Sequence, residues 1–176
     1  MKFTETTLKG AFVVDLEKRE DDRGFFARAW CQEEFESNGI YRLPVQSNMS
    51  YNIKAGTMRG MHYQAAPYQE SKLIRCINGS IYDVIIDLRK DSPTYKQWFG
   101  IELNSENRTM LFVPEDFAHG FLALKEGSEV MYQVSAFYTP GSEMIIRFND
   151  PSFNIQWPMK VAVISEKDKN ASDFKE

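Results

Sequence analysis

The chain has 176 residues, 43% of them hydrophobic, which suffices for one substantial core and not for two ordinary domains, so a single domain over 1–176 is expected. Its 21 basic and 25 acidic side chains give a formal charge of -4 and are spread along the chain, which points to neither nucleic acid nor a membrane surface as partner. No stretch approaches the roughly 18 apolar residues of a spanning helix, the start MKFTETTLKGAFVV lacks a signal-peptide pattern, and Cys31 and Cys76 show no CxxC spacing, so a cytoplasmic protein with two buried bystander thiols is expected.

Along the chain, short apolar runs rich in β-branched and aromatic residues are each stopped by Gly, Pro, Asn or Asp. They predict strands at 12–16, 24–29, 45–53, 57–64, 71–77, 80–88, 97–104, 109–113, 118–124, 129–137 and 143–148. One short helix is predicted at 32–38, with Phe35 as its apolar contact and Gly39 as its C-terminal cap. Asn78-Gly79 is the signal of a type I′ turn and predicts that 71–77 and 80–88 pair as a tight hairpin. In 129–137 the even positions Val130, Tyr132, Val134 and Ala136 form one face, and Tyr138 keeps their parity, so Tyr132 and Tyr138 should point the same way. The polar end 165–176 reads as a loosely held tail. The whole is an all-β sandwich or barrel, whose interior holds either side chains or one ligand.

Chemistry has few places to sit. There are two histidines, His62 in Arg59-Gly60-Met61-His62-Tyr63-Gln64 and His119 in Phe117-Ala118-His119-Gly120-Phe121. A metal-binding barrel of this size gathers its ion with an HxH pair, a carboxylate and a third histidine; Gln64 breaks that pair, so no metal is expected. His62 is then either a packed strand residue or a proton carrier, since an imidazole titrates near working pH. A proton carrier needs an orienting carboxylate, which spacing does not pick out among 25 acids, and an opposing acid, for which Tyr132 stands as nominee or as a barrel-filling aromatic. Arg23, Arg59 and Lys72 are cations suited to an anionic ligand, and Gln46-Ser47-Asn48 adds neutral hydrogen-bonding groups on a strand.

Seven segments in order, DDRGFF (21–26), QSN (46–48), RGMHYQ (59–64), KLIRCINGSIYDVIIDLRKDSPTYKQW (72–98), PEDFAHGF (114–121), EVMYQVSAFYTP (129–140) and ISEKD (164–168), resemble the dTDP-4-dehydrorhamnose 3,5-epimerase family from about Gly10 to Asp173. The resemblance implies a metal-free cupin-type jelly-roll β-barrel with short peripheral helices, a homodimer, no cofactor, and a nucleotide-linked 4-keto-6-deoxyhexose as substrate. It implies His62 as base, Asp168 as its carboxylate partner, Tyr132 as acid and Lys72 as the cation near the sugar ketone. Arg23, Gln46, Ser47, Asn48, Arg59, His119, Glu143 and Lys167 fall on positions that contact the nucleotide sugar or shape its pocket, and Tyr138 on the aromatic that stacks on the base. Asp168 reaches His62 only if 165–176 folds back on the barrel, so the resemblance implies a docked C-terminal segment rather than a loose tail. Arg28 stands where the family commonly carries a glutamate that contacts the nucleotide. The expected reaction is inversion of C3 and C5 by proton abstraction and return. Its rivals are a restricted 3- or 5-epimerase or ketoisomerase, a non-catalytic nucleotide-sugar-binding barrel, and a metal-dependent barrel enzyme.

Overall fold

The computed structural model describes residues 1–42 and 44–175. In chain order the strands are β1 (Lys2–Glu5), β2 (Phe12–Asp15), β3 (Arg19–Asp21), β4 (Gly24–Phe26), β5 (Gln46–Asn52), β6 (Thr57–Gln64) and β7 (Lys72–Asn78). They continue as β8 (Ser80–Asp87), β9 (Trp98–Asn104), β10 (Met110–Val113), β11 (Phe117–Ala123), β12 (Ser128–Val134), β13 (Glu143–Ile145) and β14 (Val163–Ile164). Helix α1 (Gln32–Ser37) lies between β4 and β5, and α2 (Glu166–Lys169) follows β14. Each predicted strand appears, several shortened by a few residues. Strands β1, β3 and β14 and helix α2 were not anticipated, because runs of two to four residues carry too little periodicity to announce themselves.

The strands build a jelly roll of two facing sheets. One runs β1-β2-β10-β7-β12-β5; the other runs β13-β6-β11-β8-β9, with β14 added in parallel to β6. Alternation along β8 shows how the layers form: Ile81 and Ile85 point between the sheets and pack with Ile74, Leu111, Phe121 and Val130. Its intervening Val84 and Ile86 point outward, where Met58, Leu122, Ile146 and Phe153 cover them. The outer face of the first sheet is covered by α1, whose Phe35 packs with Leu73, Met110 and Phe112. That helix ends as predicted. Gly39 at φ +79° and the bonds Gly39 N–H to Glu36 O and Ile40 N–H to Phe35 O close its last turn.

The Asn78-Gly79 hairpin is corrected. β7 pairs with β10 and β12, and β8 pairs with β11 and β9, so the turn carries the chain from one sheet to the other. Only Gly79 has positive φ, whereas a type I′ turn needs it at both central residues. The crossing is pinned from outside: Asn78 Nδ2 donates to Gly127 O, and Ser128 Oγ both accepts from Ser80 N–H and donates to Ser80 O. A local turn signal cannot report which sheet each flanking strand joins. Of the two cysteines, Cys76 is buried as expected, while Cys31 is only partly so; both are free thiols.

Candidate active site

One end of the sandwich opens into a cavity of about 570 Å³ lined by His62, Arg59, Lys72, His119, Tyr132, Glu143, Lys167 and Asp168, among others. A second lobe of about 300 Å³ shares His62, Lys72, Tyr132 and Glu143 with it and adds Gln46, Asn48, Glu70 and Tyr138, so the two form one cleft. Tyr132 and Tyr138 do face the same space. Tyr132 does so from β12, and Tyr138 from the exposed segment beyond the strand's end at Val134.

His62 and Arg59 both face the cleft although they are three residues apart, which simple alternation forbids. Opposite them, His119 and Phe121 are two apart, so β6 holds one extra residue in a bulge at Gly60-Met61. The bulge depends on two glycines packed back to back: a Cβ on Gly60 would lie 2.5 Å from Gly120 Cα and 2.9 Å from His119 O. Met61, displaced to the outside, is fully buried in the outer cluster and exchanges backbone bonds with Ile146.

His62 Nε2 lies 2.7 Å from Asp168 Oδ1. Asp168 is 106 residues away in sequence and is carried there by β14 and α2, the latter capped by Ser165 Oγ accepting from Asp168 N–H. Burial alone would raise the Asp168 carboxyl, but the hydrogen bond and charge of His62, with Gly60 N–H and Ser165, hold it below its ordinary value. With Nε2 occupied, Nδ1 is the nitrogen left to accept a proton. The end of the chain is also tied down: Phe174 N–H donates to Asp150 Oδ2 and its ring packs edge-on against Phe153. The C-terminal segment thus folds back on the barrel through residue 175, and Glu176 lies outside the described residues.

Tyr132 lines the same cleft from β12. Burial pushes the Tyr132 phenol up, Glu70 and Glu143 push it further, and Arg59 opposes them, so Tyr132 stays protonated. Lys72 is almost buried and donates to His62 O at 3.3 Å, with Glu70 Oε1 at 3.2 Å. His119 sits directly opposite His62 on β11, its Nε2 2.8 Å from the buried Asp83 Oδ1. Sequence reasoning missed Asp83, although it shares inward parity with Ile81 and Ile85 on β8; Glu70, in a turn, gave no periodic signal. On β5, Gln46 Nε2 donates to Asn48 Oδ1 at 2.9 Å, while Arg59 Nε donates to Asn52 Oδ1 at 2.8 Å. Lys167 Nζ pairs with Glu143 Oε2 at the rim.

Two residues are not brought into the cleft. Ser47 alternates to the exposed outer face of β5 between Gln46 and Asn48, as strand geometry requires. Arg23 stands on the exposed β3–β4 hairpin and is paired with Asp21 at 2.6 Å. Arg28 is likewise outside, bonded to Glu34 at 3.0 Å, which in turn accepts from the N-terminal ammonium. Among the described residues no group of three or more His, Cys, Asp and Glu side chains is arranged to hold a metal ion.

An imidazole with its own carboxylate, a protonated phenol and an ammonium lining one cleft are the equipment of an acid–base isomerase built in a jelly roll. A sequence model described as dTDP-4-dehydrorhamnose 3,5-epimerase matches residues 5–176. The enzyme of that name from Shigella flexneri is 38% identical over 175 residues, covering 99% of this chain and 96% of its own. The crystal structure of dTDP-4-dehydrorhamnose 3,5-epimerase from Elizabethkingia anophelis NUHP1 superposes with a TM-score of 0.96 at 37% identity, covering 99% of this chain and 96% of that one. That of dTDP-6-deoxy-D-glucose-3,5-epimerase from Legionella pneumophila Philadelphia 1, in complex with dTDP-4-keto-L-rhamnose, gives 0.90 at 34% identity, covering 97% and 90%. The chain belongs to the dTDP-4-dehydrorhamnose 3,5-epimerase family.

Proposed function

We propose that this protein converts dTDP-4-dehydro-6-deoxy-D-glucose to dTDP-4-dehydro-L-rhamnose by inverting C3 and C5. The observation that carries the reading is the His62–Asp168 pair at 2.7 Å, set in the same cleft as Tyr132 and Lys72 and open to a second lobe. A 4-ketone acidifies the protons at C3 and C5. His62 Nδ1 removes one, and the electron pair moves onto the ketone oxygen as an enolate, whose charge the Lys72 ammonium stabilises. Tyr132 then returns a proton to the opposite face, and the ring carbon is inverted. Asp168 balances the imidazolium formed on the way. The ketone is the electron sink, so the chemistry calls for no cofactor. A positioned acid–base pair supplies about 10² to 10⁴ in rate, and a preorganised donor at the oxyanion about 3 kcal/mol more.

The nucleotide goes to the second lobe, with Tyr138 stacked on the base, Gln46 and Asn48 on the sugar-phosphate side, and Arg59, His119, Glu143 and Lys167 bounding the diphosphate and hexose. The chain acts as one epimerase domain, with its C-terminal segment completing the dyad. Arg23 is assigned to substrate binding through a homodimer. Strand β5 ends its sheet with Met49 and Tyr51 exposed, and Phe26 on the Arg23 hairpin is 71% exposed. Pairing two copies over these surfaces would cover them and give one protomer's hairpin to its partner's cleft. Among the described residues no helix is long and apolar enough to cross a membrane, and we place the enzyme in the cytoplasm with its charged substrate.

The test is ¹H NMR with dTDP-4-dehydro-6-deoxy-D-glucose in D₂O, following C3 and C5 separately. Loss of both signals, abolished by His62→Ala while dTDP still binds, is the expected result. Loss of one signal makes the protein a restricted epimerase. Loss of neither, or undiminished exchange in His62→Ala, overturns the reading.

A further inference from the structure

We propose that Glu70 is a positioning residue for this reaction: its carboxylate holds the Lys72 ammonium beside His62 and shapes the electrostatic field at the Tyr132 hydroxyl. The proposal rests on the epimerase reading above and adds to it a residue that contacts no reacting atom.

Glu70 lies in the turn between β6 and β7, two residues before Lys72, and its side chain is only 13% exposed. A carboxylate buried beside a cleft that must take a diphosphate and develop an enolate is costly unless its charge is used locally. Both oxygens are used. Oε1 is 3.2 Å from Lys72 Nζ, and Oε2 accepts from Gln64 Nε2 at 3.2 Å. Gln64 is in turn fixed by accepting from Thr139 N–H and Ser142 Oγ, each at 2.9 Å, so the carboxylate is anchored on its far side to the segment that carries Tyr138. The pull on Lys72 therefore has a fixed direction.

Lys72 needs that pull. Its side chain is 8% exposed, and among the described residues Glu70 is the carboxylate in ion-pair contact with it; its other polar contact is His62 O at 3.3 Å. Lysine is a point charge on a flexible stem, and a bound diphosphate in the same cleft competes for it. Glu70 and His62 O together keep Nζ at the hexose end, where an enolate oxygen forms. The same negative charge faces Tyr132, one of a set of charged and titratable groups around that phenol: His62 and Arg59 from β6, Lys72 from β7, His119 from β11, Glu143 from β13, and Lys167 and Asp168 from α2. Burial raises the phenol first, and Glu70 is the largest charge effect added to it. Removing the Glu70 charge makes the Tyr132 phenol easier to ionise, which brings the alkaline loss of activity to lower pH, and it leaves Lys72 without its counter-ion.

The experiment measures kcat, KM and the pH profile of kcat for the native protein, Glu70→Gln and Glu70→Asp, together with the Kd for dTDP alone. Glu70→Gln should lower kcat about tenfold, as a weakened oxyanion contact does, move the alkaline limb to lower pH, and leave dTDP affinity within about twofold. Glu70→Asp keeps the charge and shortens the reach by one methylene, so kcat should fall while the alkaline limb stays in place. An active Glu70→Gln with native kcat and an unmoved limb overturns the proposal. If that variant loses dTDP binding by misfolding, Glu70→Asp decides, and native kcat there overturns it equally. A native protein that exchanges neither C3 nor C5 overturns the reaction itself, and with it this role.

Discussion

Replacing Asp168 with Asn removes one charge from the 2.7 Å contact with His62 Nε2 and keeps its shape. In the proposed mechanism His62 takes the substrate proton, and the imidazolium so formed then loses its counter-charge. At an effective dielectric of about 20, two unit charges at that separation attract by about 6 kcal/mol. Asp168 is nearly buried, but 31% of the His62 side chain is exposed and solvent screens part of this. A loss of about 3 to 5 kcal/mol, or about 10² to 10⁴ in rate, is expected. The assay is solvent-deuterium exchange at C3 and C5 by ¹H NMR, with dTDP binding by calorimetry as the check on folding. The Ser165 cap bonds the Asp168 backbone and survives the change, so α2 should stay docked. Exchange within tenfold of native, with dTDP affinity intact, would refute the role given to the charge.

Tyr132→Phe removes the proposed proton donor without emptying its space and should slow exchange at C5 more than at C3, by about 10² or more. Complete 3,5-epimerisation at native rate in that variant would exclude the phenol as the acid. Gly60→Ala places a methyl 2.5 Å from Gly120 Cα at a φ of +124°, so β6 and β11 must part by about 1 Å at a cost of about 2 to 5 kcal/mol. Thermal unfolding should show a marked drop in Tm, and His62 should lose register with Asp168; an unchanged Tm would mean the bulge is more pliant than it looks. Asp87 governs acid stability. Burial alone would raise its carboxyl, but Arg89, Ser92 and Thr94 bring it down to about 2 from 3.8. A depressed carboxyl stabilises the fold above its unfolded pKa and loses that contribution as pH falls through the folded value, so about 2 kcal/mol should disappear between pH 4 and pH 2. Asp87→Asn should flatten that part of the melting-temperature profile, and an identical acid limb would assign the loss to other groups.

Much of the site was legible because strands alternate. The inward parity of Val130 and Tyr132 follows from a short strand with one buried face, while the two histidines and the cations Arg59 and Lys72 stood out by residue type. The same rule turns Ser47 outward beside Gln46 and Asn48, against the place in the pocket expected for it. What alternation cannot express is its own interruption. Arg59 and His62 share a face only because of the bulge at Gly60-Met61, which exists because Gly120 lies against it on another strand. Glu70 sits in a turn, where no period applies, and its importance comes from being near Lys72 and Gln64 in space.

The sequence by itself determined the local elements: where runs of β-branched residues start and stop, the Gly39 cap of α1, and an ordered set of motifs sufficient to suggest the family. Tertiary structure alone decided the long-range pairings. It sent Asn78-Gly79 between sheets rather than around a hairpin, and it left Arg23 outside the cleft of its own chain. It also brought Asp168 to His62 across 106 residues by adding β14 in parallel to β6. The physical reason is common to all three. Backbone conformation is set by neighbours a few residues away, whereas the partner of a strand edge or a buried charge is chosen by which distant surface can satisfy it once the core has formed.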